Sequence, residues 1–201
     1  FILALALGPT TTTSSPTTPA FTRCGATCDL ATALATAVAT TPPSQAAVVL
    51  LTSSRTLSRT ITITGNVTLA APRNARPLAV GLSAATPASR LFVVAPGASL
   101  TLVNLVLTGG QSAADALGGG AVVVSSNAAL RAVDCAFNQN QAQAGDGGAI
   151  SVQSRAFVSL VRTSFSLNIA TKGDGGAVAL QSSARLVMHN CSFTRNAAYF
   201  S

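Results

Sequence analysis

The chain has 201 residues, of which 8% are charged and 48% hydrophobic, and its five acids are all Asp. That length gives one domain with a real core, and low charge with high apolar content excludes intrinsic disorder. One Lys and no Glu exclude a coiled coil or a long solvated helix. The net charge is +7, but the Arg residues are scattered singly, without a basic run or interleaved aromatics. No nucleic-acid partner is therefore expected.

Residue 1 is Phe and the only Met is Met188, so the chain reads as processed or as a fragment. Residues 1–20 read as a signal-peptide remnant followed by a linker rich in Thr, Ser and Pro. Residues 21–60 read as an N-terminal cap with the first strand. Asp29 caps a helix over about 29–40, with Leu30, Leu34 and Val38 on one face, and Pro42 and Pro43 stop it. The first strand opens at Val48. No run of 18 apolar residues exists, so no transmembrane span is expected. Cys24 and Cys28 are a candidate disulfide if the protein is secreted, with free thiols as the alternative. Asn66 and Asn190 head the two N-glycosylation sequons.

Residues 61–201 carry the strongest signal, an internal repeat. Gly119-Gly120-Ala121, Gly147-Gly148-Ala149 and Gly175-Gly176-Ala177 recur every 28 residues. They define units 119–146, 147–174 and 175–201. The register holds along each unit. Val122, Ile150 and Val178 align, as do Leu130, Val158 and Leu186. Phe137, Phe165 and Phe193 align, and so do Asn140, Asn168 and Asn196. Residues 98–110 form an earlier copy, offset by 30. Ile61–Thr64 and Val67–Leu69 look like another turn of the same kind.

Each unit alternates apolar and polar residues in three short runs and lacks a helical stripe. This predicts an all-β fold: a right-handed parallel β-helix of three strands per coil, with an N-terminal capping helix. Identical residues then stack about 4.8 Å apart. Phe137, Phe165 and Phe193 form a core column, and Asn140, Asn168 and Asn196 form a turn ladder with amide bonds along the stack. The Gly pairs give the corner its backbone freedom. Leucine-rich repeats are the rival architecture, but the Gly-Gly-Ala-Val segment stands where their helix belongs.

The paired motifs Gly-Gly-Ala-Val/Ile and Phe-x-x-Asn resemble the polymorphic outer membrane protein repeats of the chlamydial type. They are Gly119–Val122 with Phe137–Asn140, Gly147–Ile150 with Phe165–Asn168, and Gly175–Val178 with Phe193–Asn196. A looser pectin-lyase-like likeness covers 45–118. The resemblance implies a surface-exposed right-handed β-helix, often adhesive.

Related β-helices include glycan hydrolases and lyases, which need paired or clustered carboxylates. The acids here are Asp29, Asp115, Asp134, Asp146 and Asp174, with no adjacent pair. Asp146 and Asp174 occupy one position in successive coils and are the Ca²⁺ candidates. The alternative, which the sequence favours, is a turn Asp bonding its own backbone. Asp134 and Arg162 align as a cross-strand ion pair. Cys135 and Cys191 lie two coils apart, too far for a disulfide, and read as small buried hydrophobes.

The expectation is thus a non-enzymatic, secreted or cell-surface β-helix with a structural or adhesive role and no cofactor. Its expected partners are extracellular proteins or glycans, with self-association through the open C-terminal coil. The alternative is a polysaccharide-binding or pectate-lyase-like β-helix, since an acidic glycan would suit the net charge.

Overall fold

The computed structural model describes residues 21–72, 81–85, 89–112 and 115–199. The segment 1–20, read above as signal remnant and linker, lies outside the described residues. The chain winds into a parallel β-solenoid of about 6 turns with one short helix near its start. Every coil repeats one path. In the coil that begins at Val122, the strands are Val122–Val124, Ala129–Val133, Ala136–Asn138 and Gln141–Ala142. Each joins its counterpart in the next coil, which gives sheets of five, seven, six and four strands. The three expected strands per coil are present. The fourth, of two residues, occupies what reads in sequence as a plain turn.

The 28-residue register is realised residue by residue. Val122 pairs with Ile150 and Ile150 with Val178. Leu130 pairs with Val158, and Val158 with Leu186. Leu107, Phe137, Phe165 and Phe193 share one column. The degenerate earlier copies stack too: Phe92 pairs with both Ile61 and Val122. Alternate residues of each strand point inward and fill the solenoid with Leu, Val, Ile and Phe. Phe137, Phe165 and Phe193 lie as parallel rings with centroids 4.9 and 4.8 Å apart, an offset stack dictated by the rung spacing.

At the N-terminal end the helix spans Leu30–Thr40. The Asp29 carboxylate accepts from the Thr32 N–H at 3.1 Å and from the Thr32 hydroxyl at 2.5 Å, the expected cap. These bonds hold the Asp29 carboxyl below its ordinary range. Leu30, Ala33, Leu34 and Ala37 press on the first coils, so the helix covers apolar surface that a further coil would otherwise cover. The sheet begins earlier than Val48. Phe21–Cys24 pairs in parallel with 48–51 as the edge strand. A four-residue strand with only Cys24 buried carries too little alternation to be legible.

Between coils the turns are built on left-handed residues. Asn104, Asp134, Arg162 and Asn190 have φ of 58°, 54°, 47° and 52° at one corner. Gln139, Leu167 and Arg195 hold 53°, 55° and 53° at the next. At the Gly-Gly corner the two glycines act differently. Gly147 has φ +73°, as expected of a corner glycine. Gly148 is needed for space, because a Cβ there would lie 2.1 Å from the Gly176 carbonyl oxygen.

The Asn column is a continuous buried ladder. Asn168 Oδ1 accepts the Asn140 N–H and the Asn140 side-chain amide, both at 3.0 Å. Asn168 Nδ2 donates to the Phe137 carbonyl at 2.9 Å and to Asn196 Oδ1 at 2.8 Å. Asn140 and Asn168 are fully buried, so this network is the only place those groups can be satisfied.

Two stability predictions follow from these contacts. Asn168→Leu removes the acceptor of the Asn140 N–H and the side-chain donor to the Phe137 carbonyl, and leaves the Asn140 amide only its bond to the Leu107 carbonyl. It should cost about 3 kcal/mol or more and lower Tm by about 6–12 °C in a thermal melt. Leu167→Gly removes a side chain that is 43% exposed from a left-handed backbone. It should raise Tm by about 2–4 °C, and an unchanged or lowered Tm would show that Leu167 contributes packing that outweighs the strain.

Candidate functional site

Three regions gather the residues singled out by sequence: the Asp146–Asp174 corner, the cap, and the last coil. At the corner, Asp146 Oδ1 accepts the Asp174 backbone N–H at 2.8 Å. The carboxylate therefore bonds the following coil and not its own backbone. Parallel stacking places that N–H directly above it, a partner that single-coil reasoning cannot see. Among the described residues no group of three or more His, Cys, Asp or Glu is placed to hold a metal ion.

The remaining acids are engaged elsewhere. Asp134 forms a two-pronged pair with Arg162, Nε to Oδ1 at 2.6 Å and Nη2 to Oδ2 at 3.0 Å. Both sit at the left-handed corner and not within strands. The carboxylate favours the charged guanidinium and pushes the Arg162 pKa up. Arg90, unremarkable in sequence, is buried at 8% exposure. Its Nη2 reaches Asp115 Oδ1 at 2.6 Å and the Gly118 carbonyl at 3.1 Å. This pair ties together two loops on either side of the five-stranded sheet's start, and nothing in the spacing of Arg90 and Asp115 announces it. With Asp29 spent on the helix cap, four of the five carboxylates hold structural contacts at separate places.

The cap is locked by a disulfide, Cys24–Cys28, with Cα atoms 5.2 Å apart. The Arg55 guanidinium donates to the Ala26 carbonyl inside that loop at 2.6 Å. Arg55 is in register with Leu82, so a cation stands one rung below an apolar column and turns to the loop carbonyl. Both sequon asparagines are exposed. Asn66 Oδ1 accepts the Ser99 hydroxyl at 2.9 Å.

The last described coil spans 175–199. Its inward residues have no coil above them among the described residues. Phe193 is 46% exposed and Met188 49%, whereas Phe165 beneath Phe193 is 1% exposed. The two free cysteines diverge accordingly. Cys135 is buried, its thiol directed at the Val133 carbonyl at 3.3 Å. Burial raises its pKa from 9.0 to about 11. Cys191, two coils on, is half-buried in the last described coil.

No protein-family model and no curated protein matches the chain. No helix among the described residues is long and apolar enough to cross a membrane.

The thiols give a direct check of the coil register. Iodoacetamide should label Cys191 in the native protein and leave Cys135 unlabelled until denaturant is added. A raised folded pKa favours the neutral thiol, so the contribution of Cys135 to stability is intact below pH 9.0 and declines as pH rises toward about 11. The stability difference between the wild type and Cys135→Ala in denaturant melts should be constant below pH 9.0 and shrink as pH rises toward about 11.

Proposed function

We propose that this chain is a non-enzymatic β-helix of the cell exterior, with a structural or adhesive role. The observation that carries the reading is the use of its carboxylates. β-Helix hydrolases and lyases need two or more acids converging on one groove. Here one Asp caps a helix, two neutralise arginines, and one receives a backbone N–H of the next coil. Each of these four already serves a structural contact, and among the described residues no three His, Cys, Asp or Glu converge on one point. The rest of the molecule is a regular rod of stacked columns, suited to holding surface residues at fixed spacing. The Cys24–Cys28 disulfide and the two exposed sequon asparagines suit an oxidising, glycosylating compartment. The repeat motifs fit the polymorphic outer membrane protein class, in which such rods face outward.

Polygalacturonate with added Ca²⁺ is the decisive substrate, since it is what a lyase on this scaffold would cleave. No rise in unsaturated product is expected over hours at micromolar protein. Turnover that disappears in Asp146→Asn or Asp174→Asn would overturn the reading.

A further inference from the structure

The outward face of the seven-stranded sheet carries a feature that neither the fold nor the packing uses. On the strand Phe157–Val161, Val158 and Leu160 face the core, so Phe157, Ser159 and Val161 face outward. Phe157 is nevertheless a full phenyl ring, 43% exposed. In the same register stand Ala129 on one side and Arg185 on the other. Arg131 pairs with Ser159, two residues along and one rung away from Phe157. Arg155 lies two residues before Phe157, exposed on the left-handed turn that enters the strand. Three Arg residues thus occupy positions around one exposed aromatic residue. A neighbour on the adjacent rung lies about 5 Å away and a diagonal one about 7–8 Å, within reach of Arg side chains.

These three cations are not held by the contacts that fix other arginines. Arg90 and Arg162 have carboxylate partners, and Arg55 donates to a loop carbonyl. Arg131, Arg155 and Arg185 are exposed and have no carboxylate partner among the described residues. No Asp lies within the strands Ala129–Val133, Phe157–Val161 or Arg185–His189. The pairing offsets Arg131 and Arg185, which stand in different columns and two rungs apart, so neither lies directly above the other.

We propose that this face, centred on Phe157 with Arg131, Arg155 and Arg185, is a binding site for an acidic polysaccharide. A pyranose ring offers an apolar C–H face and equatorial oxygens, which suit an exposed phenyl ring. Carboxylate or sulfate groups on the same sugars suit planar guanidinium forks. The face is flat and regularly spaced along the rod, which fits an extended chain better than a compact ligand. Nucleic acid is the less suitable polyanion, because single strands want several aromatic platforms and duplexes want none. The inference deepens the adhesive reading by naming what the rod would hold. It requires no catalysis, so an absence of lyase activity leaves it standing.

The probes are heparin and polygalacturonate, with dextran as the neutral polymer and duplex DNA as the competing polyanion. Binding is read by affinity electrophoresis across a salt series. Wild type should bind both acidic glycans, not dextran, and weaken as salt rises. The triple variant R131S/R155S/R185S should lose about 30-fold in affinity, about threefold per exposed charge. Phe157→Ser, which leaves net charge unchanged, should lose about fivefold on the glycans and little on DNA. Far-ultraviolet spectra and protection of Cys135 from alkylation confirm that each variant is folded. The control R59S/K172S/R195S removes the same charge from outside this sheet. If it weakens binding as much as the triple variant, attraction is spread over the whole protein and the site is overturned. DNA binding that exceeds glycan binding, or a Phe157→Ser protein that binds glycan as well as wild type, overturns it too. The adhesive reading is tested separately, by attachment of the protein to cells stripped of acidic glycans. Attachment that persists there leaves adhesion intact and removes this face as its cause.

Discussion

Backbone hydrogen bonding between successive coils is the constraint on which everything else depends. Parallel sheets run from coil to coil, so each strand residue stands directly above its counterpart one repeat earlier. A coil cannot close its own core, because its inner face is one strand thick. Each position is therefore decided by whether a residue tolerates a copy of itself about 4.8 Å away. Val, Leu and Phe do so and gain contact. Asn does so when buried, because its amide has one oxygen to accept from the coil before and hydrogens to pass to the coil after.

Charges fare differently under the same constraint. A carboxylate above a carboxylate is repulsive, and so is Arg above Arg. The scarcity of acids is thus a consequence of repetition. Where opposite charges survive, stacking turns them into partners. Arg162 sits one coil above Asp134 and makes both hydrogen bonds to it. Arg90 and Asp115 show the other solution, a cation taken out of the columns and buried against a loop carboxylate. Such a pair adds specificity of loop placement, since removing either partner leaves the other charge stranded.

How much of this is legible in sequence follows from the same logic. The three 28-residue units could be aligned because each column uses the same residue type, and the observed register agrees at Val122, Leu130, Phe137 and Asn140. Earlier coils are harder, because their lengths vary. Asn66 and Ser99 are bonded neighbours 33 residues apart, while Gly110 and Asn140 are 30 apart. Variable loops hide the period although the strands stack. The strand Phe21–Cys24 and the two-residue strands fall below the length at which alternation is readable. The role of Gly148 was hidden for another reason: its neighbour is a carbonyl 28 residues away. The surface around Phe157 was also illegible, since its members come from three strands and only the pairing unites them.

The Asn ladder has one more consequence, in mechanics. Its bonds run along the rod axis at the corner where the six- and four-stranded sheets meet. Sliding one coil over the next by a single residue would break the amide pairs and unstack the aromatic rings together. The coils are therefore keyed against rotation about the axis as well as bonded along it. A rod built this way resists torsion through its interior, and its outer faces remain free to change sequence without loosening the shaft.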